Sequence, residues 1–196
     1  GEYDLAGFAV GVVARERIID GSQVRDGDVI LGLASSGLHS NGYSLARKAL
    51  LEMAGYGLDS HIEELGCTLG EELLRPTRLY CADLCRLFDT LPLPHGIAHV
   101  TGGGWLDNLS RPLPEGLCLR LSASAVPTPP VFGLIQSAGN VETAEMYRTF
   151  NMGLGMALVL APEDVDAWAR ELTSAGHQCS IVGEVLAGEG SGTIEF

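Results

Sequence analysis

The sequence predicts an α/β domain in which a mixed β-sheet is flanked by helices. Three observations support this prediction. Short apolar runs of strand length recur along the chain, amphipathic runs with helical spacing lie between several of them, and the last third follows a clear order of strand, helix and strand. Several connections are too short for the crossover that joins parallel neighbours, so part of the sheet must pair antiparallel.

The first half of the chain is expected to open with a strand over 5–13, an apolar run rich in small residues, followed by a buried strand over 28–34. A helix over 42–55 follows, because apolar side chains recur on one helical face at Ala46, Ala49, Leu50 and Met53. Further elements predicted here are a helical turn over 69–74, a helix over 77–88, a strand over 97–100 and a helix over 105–109.

The second half is expected to contain a strand over 117–121, a helix over 131–138, a helical turn over 143–147, a strand over 155–160, a helix over 162–175 and a strand over 179–185. The helix over 162–175 is the clearest, because Pro162 stands near its first turn and Gly176 directly follows it. With no repeat, long linker or low-complexity segment, residues 1–196 read as one domain.

The charge balance limits the ligands of this chain. It has 25 acidic and 12 basic residues and a net charge of -13, which repels nucleic acids and anionic membranes. An anionic ligand must therefore be held locally. Lys48 is the only lysine, so arginines and backbone N–H groups are the expected anion donors.

Cysteine and histidine spacing predicts a cytoplasmic protein without a metal site. The five cysteines are an odd number with no C-x-x-C pair, which fits a reducing compartment, and no histidines or acids have zinc-ligand spacing. No apolar run is long enough to span a membrane. The chain enters its first apolar run directly after Gly1 to Asp4, without a start methionine, so we expect it to begin partway through a longer protein.

The segment "SSGLHSNG", residues 35–42, is the first candidate site. It follows an apolar strand and precedes a helix, so its N–H groups and hydroxyls are placed to bind an anion at a positive helix terminus. The alternative is that Ser40 or Asn41 caps the helix while Gly37 makes the turn. Neither a P-loop nor a G-x-S-x-G elbow is present. The residues alone leave anion binding and capping open.

Two further segments carry polar groups among glycines or apolar residues. In "HVTGGGWLDN", three glycines follow the hydroxyl of Thr101, whereas His99 is expected to be an interior histidine. In "EMYRTFNMGLGM", Arg148 and Asn151 need polar partners if they are buried, and either a bound anion or a carboxylate would serve. Asp4 offers one acid near a predicted strand, too little to assign a role.

The segments "YDLAGFAVG", "DGDVILGLASSGLHSNGYSLAR", "LLRPTRLY", "AHVTGGGWLDN" and "NVETAEMYRTFNMGLGM" occur in this order. Together they resemble the C-terminal half of the aminoimidazole ribonucleotide synthetase (phosphoribosylformylglycinamidine cyclo-ligase) family, from Tyr3 to about Gly183. Thiamine-monophosphate kinase, selenophosphate synthetase, formylglycinamidine ribonucleotide synthetase and a hydrogenase maturation factor share its two-domain plan. "SSGLHSNGYSLAR" with "MYRTFNMG" favours the cyclo-ligase.

The resemblance implies a step of purine synthesis in which ATP phosphorylates a carbonyl oxygen of formylglycinamidine ribonucleotide and an internal nitrogen closes the imidazole ring. It implies that ATP and Mg²⁺ bind mainly to an N-terminal domain that also forms the homodimer core. That domain is absent here, so residues 1–196 would be the C-terminal substrate-binding domain, inactive alone and with exposed apolar surface where its partner packs. The alternatives are a kinase or selenophosphate synthetase relative, or a non-catalytic anion-binding module.

The resemblance also assigns site residues. It places the substrate phosphate on residues of the first segment, namely Ser35, Ser36, Gly37, His39, Ser40, Asn41 and Gly42. It places a second group along the cleft between domains, namely Asp4, Thr101, Gly102, Gly103, Arg148 and Asn151. It names no general base and no metal ligand in this half.

Overall fold

The computed structural model describes residues 6–196, and its centre is a six-stranded sheet in the order β4-β6-β1-β7-β5-β8. The strands are β1 (Val29–Ala34), β4 (Gly96–His99), β5 (Leu117–Ser122), β6 (Leu154–Leu160), β7 (Cys179–Ala187) and β8 (Gly192–Glu195). A separate small hairpin joins β2 (His61–Ile62) to β3 (Cys67–Thr68). The sheet is mixed, as the sequence predicts.

Strand direction determines which loops meet. β6 runs antiparallel to both of its neighbours, β4 and β1, and β1 runs antiparallel to β7. β5 pairs antiparallel with β7 and parallel with β8. The segments that follow β1 and β4 therefore lie at the same edge of the sheet as the segments that precede β6 and β7.

Helices cover both faces of the sheet. They are α1 (Tyr43–Arg47), which continues as a π-helix (Lys48–Met53), α2 (Leu69–Leu73), α3 (Cys81–Phe88), α4 (Gly104–Leu109), α5 (Pro130–Gly139), α6 (Thr143–Thr149) and α7 (Val165–Ser174). One core contains Trp105, Phe132 and Phe150, and the other contains Trp168. β1 supplies Ile30 to the first core and Leu31 and Leu33 to the second. The helices α3 and α7 therefore cover one face of the sheet, and the other α-helices cover the opposite face.

Several element predictions were wrong. Residues 6–13 form no strand, because within the described part of the chain they have no partner strand, and Phe8 and Val12 are almost fully exposed. The helix predicted over 77–88 begins at Cys81, because residues 77 and 78 contact the loop after β1 instead of joining the helix. Met53 is exposed in the π-helical end of its helix. The hairpin β2–β3 and the edge strand β8 were not predicted.

No helix within residues 6–196 combines the length and the apolar character that crossing a membrane requires.

Candidate functional site

Three of the sequence motifs meet at one edge of the sheet. The serine loop (residues 35–42) follows β1, the glycine loop (residues 101–104) follows β4, and Asn151 precedes β6, which lies between those two strands. Asn41 Oδ1 accepts a hydrogen bond from Gly102 N at 3.0 Å, and Asn151 Nδ2 donates to Gly37 O at 2.8 Å. Antiparallel pairing on both sides of β6 thus brings distant motifs into direct contact.

The serine loop turns into α1 through a left-handed glycine. Gly42 has φ +75° and is the N-cap residue of α1, and a Cβ at this position would overlap the ring of Phe150. No side chain caps α1. The predicted capping by Ser40 or Asn41 is therefore wrong, because Asn41 is bonded to the glycine loop and Ser40 to Thr77. That leaves the helix terminus free of a side-chain cap.

The backbone N–H groups of the serine loop divide into two sets. Ser35 donates to Gly153 O at 2.7 Å, and Ser36 donates to His39 Nε2 at 3.1 Å. For the N–H groups of residues 37–42, the described part of the chain offers no acceptor. Ser35 Oγ and His39 Nδ1 are also buried without a partner among residues 6–196. Buried groups of this kind are satisfied by a partner other than residues 6–196, and an anion or water molecule can serve as that partner.

His39 is the buried centre of this loop. Its φ is +57°, and its Nε2 accepts from the backbone N–H groups of Ser36 and Arg78, so Nε2 is unprotonated and Nδ1 carries the hydrogen. Burial, followed by the charges of His99 and Arg78, lowers the pKa of His39 to about 4. His39 is therefore neutral near pH 7, and its Nδ1–H is available as a donor.

Tyr80 and His99 lie beside His39, and His177 stacks on Tyr80. Tyr80 donates its hydroxyl to Ala34 O at 2.8 Å, and its ring stacks on His177 at 5.8 Å between centroids. His99 lies 6.0 Å from His39 between ring centroids and is exposed, so its interpretation as an interior histidine was wrong. His99 is the last residue of β4, which places its ring at the edge of the sheet. Partial burial of that ring lowers the pKa of His99.

The glycine loop is held by groups that the sequence analysis did not select. Asn108 is buried in α4 and donates Nδ2 to the carbonyl oxygens of Thr101, Gly102 and Gly104, and it accepts the Thr101 hydroxyl at 3.1 Å. The Thr101 hydroxyl is therefore used inside the chain. Asn108 follows the glycines by a few residues in "TGGGWLDN", and a polar residue on the apolar face of α4 was the signal for it.

The remaining predicted site residues are placed differently. Arg148 is exposed and faces Glu145 at 3.8 Å, so it does not reach the serine loop. Together with Gly103 and Asp107, Arg148 lines a cavity of about 340 Å³ between α4 and α6. Asn151 is buried and braces the serine loop. Asp4 lies outside the described residues.

The segment 75–78, which we call the arginine segment, forms a second wall of the serine loop and was not predicted. Ser36 Oγ donates to Pro76 O at 2.7 Å, and Ser40 Oγ lies 3.2 Å from Thr77 Oγ1. The hydroxyls of Ser36 and Ser40 are thus engaged, whereas Ser35 Oγ has no partner among residues 6–196. Basic residues beside a serine and glycine loop fit an anion site, whereas residues 6–196 bring no three acidic, histidine or cysteine side chains together as metal ligands.

Comparison with known proteins identifies the family of this chain. Residues 25–195 match the family model described as AIR synthase related protein, C-terminal domain. The chain belongs to this family. Among curated AIR synthase relatives, it is 50% identical over 189 residues to a phosphoribosylformylglycinamidine cyclo-ligase of Carboxydothermus hydrogenoformans, covering 96% of this chain and 54% of that protein. It is 46% identical over 187 residues to the enzyme of that name from Alkaliphilus oremlandii, covering 95% of this chain and 54% of the relative. The chain spans about half the length of these relatives.

Solved structures share the AIR synthase fold at low identity. Thiamine-monophosphate kinase from Stenotrophomonas maltophilia has a TM-score of 0.59 at 19% identity, with 93% of this chain and 54% of that chain covered. Thermotoga maritima PurL, solved with AMPPCP, has a TM-score of 0.52 at 18% identity, with 90% and 24% covered. These similarities support the fold, a mixed sheet flanked by helices.

Proposed function

We propose that this chain is the substrate-binding half of a phosphoribosylformylglycinamidine cyclo-ligase, which converts formylglycinamidine ribonucleotide and ATP to aminoimidazole ribonucleotide, ADP and phosphate. The observation that carries the proposal is the serine loop, whose free N–H groups lie in a chain 46% to 51% identical to enzymes of that name. An anion site in this region is what a nucleotide substrate needs.

In this proposal the substrate's 5′-phosphate binds the N–H groups of residues 37–42, with His39 beside them. Backbone donors preformed before a helix stabilise a phosphate without any rearrangement, because the loop is already braced by Asn151 and Asn41. The glycine loop then faces the substrate from the next strand end. Asp4, Thr101, Gly103 and Arg148 keep a cleft-lining role only as part of this proposal.

ATP and Mg²⁺ belong, in this proposal, to the part of the relatives that this chain does not cover. That part would also form the dimer core of a cytoplasmic homodimer. When bound, ATP supplies the phosphoryl group that makes the carbonyl oxygen a leaving group. This chain's own residues bind and orient the substrate, and no proton transfer is assigned to them.

The test is phosphate binding by the chain itself. Replacing Ser36 and Ser40 together by Ala removes both hydroxyls that tie the serine loop to the arginine segment, so we expect affinity for inorganic phosphate to fall by about tenfold or more. Titration followed by amide NMR shifts of residues 37–42 measures it.

The matched control is the double variant Ser137→Ala/Ser174→Ala, which removes two exposed helical hydroxyls outside the loop. We expect its affinity to equal that of the wild type. If the folded Ser36→Ala/Ser40→Ala protein bound phosphate as the wild type does, the two hydroxyls would not support the site; a wild-type titration without shifts at residues 37–42 would show that the proposed site is wrong.

A kinase of the thiamine-monophosphate type and a non-catalytic module are the alternatives. The kinase shares the fold at 19% identity, far below the 50% shared with the cyclo-ligase of Carboxydothermus hydrogenoformans. Assays of the full-length protein with formylglycinamidine ribonucleotide and with thiamine monophosphate separate these functions. Turnover of thiamine monophosphate, or of neither substrate, would contradict the cyclo-ligase proposal.

A further inference from the structure

The arginine segment contacts the serine loop along its whole length, and its two guanidinium groups have different partners. The backbone N–H of Arg78 faces His39 Nε2 at 3.4 Å, while the Arg78 side chain donates to Gly176 O at 2.7 Å. Arg75 instead pairs with Glu72, with Nη2 2.6 Å from Oε2. The Arg78 guanidinium is thus bound to the carbonyl oxygen of Gly176. The Arg75 guanidinium is bound at one end only, to the carboxylate of Glu72.

Glu72 is a carboxylate buried beneath the loop. It is 5% exposed, although it carries a charge that burial penalises. Burial raises the pKa of Glu72, and the guanidinium of Arg75 opposes that rise. Its other oxygen, Oε1, lies 3.2 Å from the point where a Cβ on Gly37 would be, and Arg75 Cδ lies 3.6 Å from the same point. Both side chains therefore contact the turn at Gly37.

We propose that Arg75 is the charged anion-binding residue of the serine loop and that Glu72 is the residue that positions it. This inference rests on the proposed phosphate site and names the cation that completes it. Arg75 is half exposed, and a guanidinium has five N–H donors, of which the contact with Glu72 uses one end. The remaining donors face a phosphate held by the N–H groups that begin at Gly37.

Two physical arguments support this pair. A chain with a net charge of -13 repels an anion at long range, so a fixed positive charge beside the loop is needed to offset that field. A long arginine side chain loses rotamer freedom when it binds, and an ion pair formed before the ligand arrives removes most of that cost. Glu72 supplies this pairing from a rigid position in α2, where it is surrounded by protein.

The experiment uses inorganic phosphate and the isolated chain, with amide NMR titration and a thermal unfolding midpoint for each variant. We expect Arg75→Ala to bind phosphate at least tenfold more weakly. We expect Arg75→Lys to keep part of the affinity, because it keeps the charge and loses the planar fork. The control Arg86→Ala removes an exposed arginine of α3 and changes the net charge equally, so its affinity stays within about twofold of the wild type.

The variant Glu72→Gln distinguishes two roles of Glu72, the positioning of Arg75 and the repulsion of phosphate by its negative charge. If Glu72 acted only through its negative charge, its removal would strengthen phosphate binding. If it positions Arg75, Glu72→Gln weakens binding severalfold in a protein whose unfolding midpoint is unchanged. A Glu72→Gln affinity equal to or above that of the wild type contradicts the positioning role.

The outcomes separate this inference from the proposed function. If the wild-type chain binds no phosphate, the proposed site itself is wrong. If the wild type binds phosphate and Arg75→Ala binds equally well, the serine loop is the site and Arg75 is not its cation. If Arg75→Ala and Arg86→Ala weaken binding alike, the effect is one of net charge and the inference fails.

Discussion

At the scale of single residues, His39 makes the free energy of unfolding depend on pH. A histidine whose pKa is lower in the folded protein than in the unfolded chain favours unfolding as pH falls, because the unfolded chain then binds the extra proton. For His39 the window runs from about 6.5, the ordinary value, down to about 4. Across it the free energy of unfolding falls by about 3 kcal/mol.

We therefore expect His39→Asn to reduce the loss of stability between pH 6.5 and pH 4. Asparagine tolerates the left-handed backbone of this position and does not titrate. Urea unfolding at several pH values measures the slope. The control His61→Asn removes an exposed histidine of the hairpin β2–β3 and should keep the wild-type slope. A slope that is equally steep in His39→Asn would show that His39 is not the titrating group.

The sequence indicated which polar residues and glycines meet at the sheet edge better than it indicated where the side chains point. The serine loop, Asn151 and the glycines were selected from the sequence, because their side chains or missing side chains signal polar contacts and tight turns. Arg148 was selected for the same reason and is exposed. Glu72 and Arg75 were missed, because "EELLRP" reads as an ordinary charged helix end until the fold places it under Gly37.

At the scale of elements, the glycine loop depends on close contact between α4 and α6. Gly104 has φ +65°, and a Cβ there would overlap the carbonyl oxygen of Tyr147 in α6. We expect Gly104→Ala to lower the free energy of unfolding by about 2 to 5 kcal/mol, since left-handed strain adds to overpacking against backbone. Urea unfolding measures it.

The matched substitution is Gly133→Ala in α5, where a Cβ would meet no atom within 4 Å. In an ordinary helical position this change should stabilise the protein by about 0.5 to 1 kcal/mol. Opposite signs at the two glycines are the expected result. A Gly104→Ala protein as stable as the wild type would mean that α4 and α6 can separate, and that the glycine loop is not fixed by their contact.

Elements with strong periodicity were predicted to within a few residues, whereas those that depend on distant contacts were not. β1 and α7 contain enough buried residues to define their own pattern. β8 has four residues and exists because it pairs with β5, which no local pattern encodes. The start of α3 is likewise set by the serine loop, which holds residues 77 and 78 outside the helix.

At the scale of the whole molecule, one segment has apolar side chains that nothing in the described chain covers. Phe8, Val10 and Val12 are 90%, 82% and 100% exposed. Exposed apolar side chains of this kind favour contact with another surface. The chain covers only 54% of its cyclo-ligase relative from Carboxydothermus hydrogenoformans, so in our proposal the rest of that enzyme supplies the missing surface.

We expect the isolated chain to bind a hydrophobic dye and to catalyse no ring closure, because ATP binding is assigned to the missing part. Joining it to the preceding half of the relative from Carboxydothermus hydrogenoformans should lower dye fluorescence and give ATP-dependent ring closure.

Phe8→Ser/Val12→Ser in the joined protein should weaken that activity, because two apolar side chains lose their partner surface. Met53→Ser/Leu58→Ser removes exposed apolar side chains elsewhere and should leave the activity intact. Ring closure by the isolated chain would show that the catalytic groups are already present in it, and equal activity of both double variants would mean that the segment around Phe8 does not join the two halves.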